Sequence, residues 1–249
     1  MCIILLTTKF KKMKTKKRPV IKPTFRTKKK TTYSNSDGLY KDIARWKIVE
    51  SIKNGKLQNR RILSLPADNC IIEGYLFEKV SKRIQFVLCE KNEQVYKKLL
   101  MNIINSKTRI PHSILSGSIG DEIYRSREND YTDLILDYCG QIGSYHKEIE
   151  HAIKNNIVCV GGTISITFNK RISGGIGGGY NMEFIEEMEK LNPNFDKKEG
   201  ESRTEPAVMT FLNRVCGMNY RIVEKYSYRD DGEDKRRSPM MLVIIRRVS

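Results

Sequence analysis

Four acids in this chain follow closely on apolar runs. Glu90 closes IQFVLCE, Asp121 and Glu122 come just after SILSGSIG, and Asp137 closes DLILD, followed by Tyr138, Cys139 and Gly140. A carboxylate at the end of a buried strand is expensive unless it is solvated or paired, so its natural place is the wall of a cleft. There it can accept hydrogen bonds from a ligand's hydroxyl or amino groups. Structural roles compete with that reading. Glu90 suits the start of a helix at KNEQ, GDE makes an ordinary helix start, Asp137 can cap the helix that follows, and Cys139 can be a small core residue.

The elements that must position these residues alternate. SNSDGLYKDIARWKIVESIKNGK predicts an amphipathic helix with Leu39, Ile43, Trp46 and Val49 on one face. Next come a short strand over Arg61 to Leu65, broken by Pro66, a helix in IIEGYLFEKV, a strand over Ile84 to Glu90, and a helix carrying Val95, Leu99 and Ile103. The pattern repeats with SILS, GSIGDEIYRS, DLILD, YHKEIEHAIKNN and IVCVGGTISITF. Strands alternating with helices of about ten to fifteen residues predict βαβ units and an open, mostly parallel α/β sheet with helices on both faces. The continuous apolarity of FVLCE and DLILD makes these central strands, with the last ending at Asp137. RISGGIGGGY predicts a mobile loop, and NMEFIEEMEKLNP a helix with Phe184, Ile185, Met188 and Leu191 on one face. A further helix runs from about Thr204 to Gly217, and YRIVEKYSYRD with SPMMLVIIRR predicts a terminal antiparallel hairpin. His146 with Glu150, and Lys147 with His151, are pairs four apart, expected on a solvated helix face.

The net charge of +17 is lopsided. Twelve cations lie between Lys9 and Lys30, among them Lys11, Lys12, Lys16, Lys17, Arg18, Lys28, Lys29 and Lys30, with no acid before Asp37. Residues 1–37 therefore read as a disordered basic tail and residues 38–249 as one α/β domain. Binding to RNA or DNA through counterion release, a solubility tail, and a nuclear import signal at KKMKTKKRP all suit the tail. No apolar face accompanies its charges, so no membrane partner is expected. MCIILL is too short to span a bilayer and lacks the charge order of a secretory signal. The six cysteines form no CxxC pair and do not join His112, His146 and His151 in a zinc pattern. The expectation is an intracellular protein, nuclear or cytoplasmic, with free thiols and no metal.

The order of elements over residues 60–249, with acids at three strand ends, resembles the class I S-adenosylmethionine-dependent methyltransferases. Ligands of such sheets bind beyond the carboxyl ends of the strands. The resemblance implies S-adenosylmethionine as cofactor, met by Leu65, Pro66 and Ala67 after the first strand. Glu90 would hold the ribose hydroxyls, and Asp121 with Glu122 the adenine amino group. It implies that Asp137, Tyr138 and Cys139 face the methyl donor and position the acceptor. Lys170 and Arg171, flanking the glycine cluster as a lid, would touch phosphates of a nucleic-acid substrate. The chain departs from the family in two places. No proline accompanies Asp137, Tyr138 and Cys139, and SLPADNCIIEG has no glycine before Gly74 where the family turns on glycines. Asp68 and Asn69 tolerate left-handed backbone, whereas Ala67 and Cys70 narrow the methionine pocket. Methyl transfer to RNA or DNA is the implied function. The alternative is a catalytically inactive relative that serves as a nucleic-acid-binding or assembly protein.

Overall fold

The computed structural model describes residues 36–66, 70–81, 83–105, 111–170, 178–192, 203–228 and 239–249, all within one compact unit, Ser34–Ser249. Seven strands form one sheet in the order β3-β2-β1-β4-β5-β7-β6. They are β1 (Arg60–Ser64), β2 (Ile84–Glu90), β3 (His112–Ser116), β4 (Tyr131–Gln141), β5 (Val158–Asn169), β6 (Tyr220–Tyr228) and β7 (Met240–Arg247). The first five are parallel, β7 runs antiparallel to β5, and β6 pairs antiparallel with β7. The expected mixed sheet with its terminal hairpin is therefore present.

Alternation along the strands sorts side chains onto two faces. Ile62, Phe86, Leu88 and Ile135 pack with α1 (Ser36–Asn54) and α2 (Ile71–Lys79). Leu63, Val87, Leu134, Leu136 and Ile166 pack on the other face with α4 (Ile119–Arg125), α5 (His146–Lys154), α6 (Gly178–Leu191) and α7 (Thr204–Cys216). Helix α3 (Glu93–Asn105) buries Leu99 completely and starts at Asn92, whose Oδ1 accepts from the backbone N–H of Gln94 and Val95. That side chain supplies the N-cap expected of Asn.

Several expectations change in detail. On α1 the buried stripe is Ala44, Ile48, Val49 and Ile52, while Trp46 is 51% exposed. The helix lies on the sheet through positions four apart, and tryptophan falls outside that stripe. Leu191 of α6 is likewise exposed. Gly178 and Gly179 open α6 instead of extending the loop, and residues 171–177 lie outside the described residues. Strand β4 does not end at Asp137. It continues to Gln141 because β5 still offers backbone, with Asp137 opposite Thr167 and Gln141 opposite Asn169 across a register shift. His146 is half-buried, with Nδ1 2.8 Å from the Gly143 carbonyl and its ring beside Phe184. Its expected partner Glu150 pairs with Lys154 at 2.6 Å.

At the amino end of the strands, Arg60 and Asp133 form a buried ion pair at 2.6 Å. Asp133 also accepts from the Thr163 N–H at 3.0 Å and hydroxyl at 2.8 Å, tying β1, β4 and β5 together. Shared hydrogen bonds of this kind offset the desolvation of two buried charges. Among the described residues no helix is long and apolar enough to cross a membrane.

Candidate active site

The strand order reverses between β1 and β4, and a crevice opens there beyond their carboxyl ends, as open α/β sheets require. It is a cleft of about 500 Å³. Leu65 and Pro66 line it after β1, Glu90 and Lys91 after β2, and Gly117, Ser118 and Ile119 after β3. Asp137 and Tyr138 of β4 complete that wall, with Val95 and Lys98 of α3 and Tyr145 and Glu148 at the start of α5.

The loop after β1 is where glycine is missing. Residues 67–69, Ala67 among them, lie outside the described residues. Cys70, which caps α2, has φ 48° and ψ 43°, a left-handed conformation. This is the backbone geometry a glycine ordinarily supplies. Cys70 thus holds a glycine-like conformation with a side chain in place.

Glu90 is half-buried at the cleft, and its Oε1 accepts from the Asn92 N–H at 2.6 Å. The helix cap is therefore Asn92, and the Glu90 carboxylate faces the cavity. Asp121 and Glu122 do not line the cleft. Asp121 is exposed, and Glu122 accepts from the Tyr131 hydroxyl at 2.6 Å. Ser118 and Ile119 hold the wall after β3, although the Ser118 hydroxyl is engaged as the N-cap of α4, accepting from the Gly120 N–H.

Asp137 and Tyr138 project to opposite faces of the sheet. Tyr138 is buried, donates its hydroxyl to Glu148 Oε2 at 2.8 Å, and stacks on Tyr145 with centroids 3.9 Å apart. Burial first, then the adjacent Glu148 charge, hold the Tyr138 phenol well above its usual range. Glu148 is itself raised by burial, opposed by the Tyr138 hydrogen bond and Lys91. The aromatic pair and this carboxylate make a rigid wall. Sequence reasoning missed Tyr145, Glu148, Lys91 and Lys98 because they come from a loop, a helix start and a helix body that approach the cleft only through the fold.

On the α1 side, Asp137 is raised chiefly by burial, against the pull of Arg45 and Lys41 and a hydrogen bond from Thr167. Glu73, in the first turn of α2, is fully interior and accepts from the Ser64 hydroxyl at 2.5 Å. Burial also raises its carboxyl, with Asp137 adding in the same sense.

Of the other candidates, the Cys139 side chain, Arg171 and the tail lysines and arginine lie outside the described residues. Lys170 is described and engaged: its ammonium pairs with Glu205 at 3.1 Å. The four cysteines whose side chains are described are free thiols, and burial pushes Cys89 up to about 12 and Cys216 to about 11.

The sequence matches no protein-family model and no curated protein. Solved structures do match. A candidate rRNA methylase from Clostridium thermocellum superposes with a TM-score of 0.51 at 14% identity, over 88% of this chain and 99% of that one. The candidate methyltransferase yhhF from Escherichia coli gives 0.50 at 8% identity, over 83% and 86%. At such identities the likeness is one of architecture. By sheet order, hairpin and cleft, the chain has the class I methyltransferase fold.

Proposed function

We propose that the protein transfers a methyl group from S-adenosylmethionine to a nucleic acid, RNA or DNA. The observation that carries this reading is the cleft at the reversal of strand order, with Glu90 on its wall, in a methyltransferase fold. The residues present fit an adenosyl ligand. Glu90 offers a carboxylate for ribose hydroxyls, Leu65, Val95 and Ile119 offer apolar surface, and Cys70 at the start of α2 has the left-handed backbone a glycine would supply.

The bound sulfonium supplies an already activated methyl group, so the chain's work is to bind, orient and exclude water. Tyr138, locked between Tyr145 and Glu148, fixes one wall, and Asp137 stands beside it at the end of the apolar run to meet the acceptor. The buried position that raises the Asp137 carboxyl suits it to take a proton from an acceptor nitrogen or oxygen. The twelve cations between Lys9 and Lys30 would concentrate the polyanionic substrate. Labelled S-adenosylmethionine incubated with total RNA and with genomic DNA tests the proposal. Label in either polymer, lost in Asp137→Ala, is expected; no transfer to either, from a protein that binds the cofactor, would contradict a nucleic-acid acceptor.

A further inference from the structure

The opposite end of the sheet, where the parallel strands begin, is strongly cationic. Two open clefts there, of about 470 and 370 Å³, share Arg60 and Arg83 in their walls. Arg61 lines the first, and Lys53 and Lys56 at the end of α1 line the second. Arg61, Arg83 and Lys56 are exposed, and among the described residues none of the three is ion-paired to a carboxylate. Most of the local acids are paired with other cations: Asp133 is buried against Arg60, Glu128 lies 3.0 Å from Arg247, and Glu50 sits 3.7 Å from Lys53. Asp130 lines the first cleft and accepts from the backbone N–H of Arg127, so cations outnumber acids there without excluding them.

The same end carries Arg221 and Arg246, directly opposite one another on β6 and β7. Like charges so placed are destabilising. Arg246 donates from Nη2 to the Ser51 carbonyl, but its Nε is buried without a hydrogen-bond partner. Burial, then repulsion from Arg221 and Arg60, lowers its pKa. By contrast, the neighbouring Arg247 is saturated by Asn129, Asn156, Val158 and Glu128. From β2 to β6 is five strand spacings, about 24 Å. That is long enough to follow several consecutive phosphates of one strand.

We propose that this end of the sheet is a docking surface for the phosphate backbone of a single-stranded nucleic acid, on the far side of the domain from the cleft. A row of unpaired cations with two arginines held against each other gains from a polyanion in a way that isolated, ion-paired surface lysines do not. The surface reads no sequence: it offers charge and no described aromatic stacking platform. Its existence does not depend on methyl transfer, so failure of the cofactor reading leaves it standing.

The test is fluorescence anisotropy with the full chain and a labelled single-stranded RNA of about 20 nucleotides, titrated over a range of salt. Because the basic tail is present in every protein compared, only the difference between variants is read. The variant Lys56→Gln/Arg61→Gln/Arg83→Gln is expected to bind at least tenfold more weakly and to lose about two units from the slope of log K against log salt. A control with the same change in charge, Lys97→Gln/Lys147→Gln/Lys190→Gln, is expected to keep both. Thermal melting checks folding, and Lys56→Gln/Arg83→Gln, which spares the Arg61 stack on Tyr131, gives a second reading with a slope loss of about one. Equal binding and slope in the test and control variants would overturn the proposal. So would displacement of the RNA by polyglutamate at equal charge, which would assign the surface to an acidic protein.

Discussion

Glu73 is carried into the interior by the first turn of α2 and sits near Asp137 at the end of the β4 apolar run, with burial raising both carboxyls. An acid raised on folding binds more protons in the native state than in the unfolded one. Its contribution to stability is therefore full below the ordinary value of 4.5 and is lost as pH rises through the raised value. Glu73→Gln keeps an acceptor for the Ser64 hydroxyl and removes this loss. The variant is expected to gain on the native protein steadily as pH rises above 4.5, measured as the difference in Tm between pH 4 and 8. A difference that stays flat would show that burial does not raise the Glu73 carboxyl. Residues such as Glu90 and Asp137 were legible in the sequence because an acid behind an apolar run is conspicuous. Glu73 was not, since Ile71, Ile72, Glu73 and Gly74 look like any helix start until the sheet closes over them. At Cys70 the sequence showed a side chain where the family has glycine, but not that this residue holds the left-handed backbone glycine usually provides.

At the scale of elements, the pairing of β4 with β5 is the most irregular in the sheet. Tyr131 pairs with Val158 and Asp133 with Thr163, so β5 bulges by several residues against β4, with Gly161 at φ +85°. Gly162 lies against β4 so closely that a Cβ there would meet the Thr132 carbonyl oxygen at 1.8 Å. Backbone must move to admit it. Gly162→Ala is expected to cost about 3 kcal/mol in urea unfolding, and a loss below about 1 kcal/mol would mean that the bulge adapts freely. Apolar periodicity revealed the strands and helices, because burial on both faces leaves continuous runs such as FVLC and LIL. It did not reveal how far β4 runs past Asp137, since pairing there rests on backbone offered by β5 and not on side-chain type. Nor did it choose the buried stripe of α1, where Trp46 looked like an anchor and the small Ala44 takes the inner position. Close packing against a sheet selects a stripe by fit, which hydrophobicity alone does not encode.

For the whole molecule, the two ends of the sheet have different characters. The carboxyl ends gather Glu90, Asp137, Tyr138 and Glu148 around a cleft, while the amino ends gather Arg60, Arg61, Arg83 and Arg246. The acids at the strand ends were visible in the sequence. The cationic end was not, because its residues come from α1, β1, β2, β6 and β7 and meet only through the sheet order. The central claim is that the cleft holds S-adenosylmethionine, and calorimetric titration of the full chain with S-adenosylhomocysteine tests it most directly. Binding at about micromolar affinity, roughly −8 kcal/mol, is expected, with Glu90→Ala weakening it by about two orders of magnitude while the thermal melt is unchanged. Absence of binding to the folded native chain, or undiminished binding in Glu90→Ala, would contradict the account.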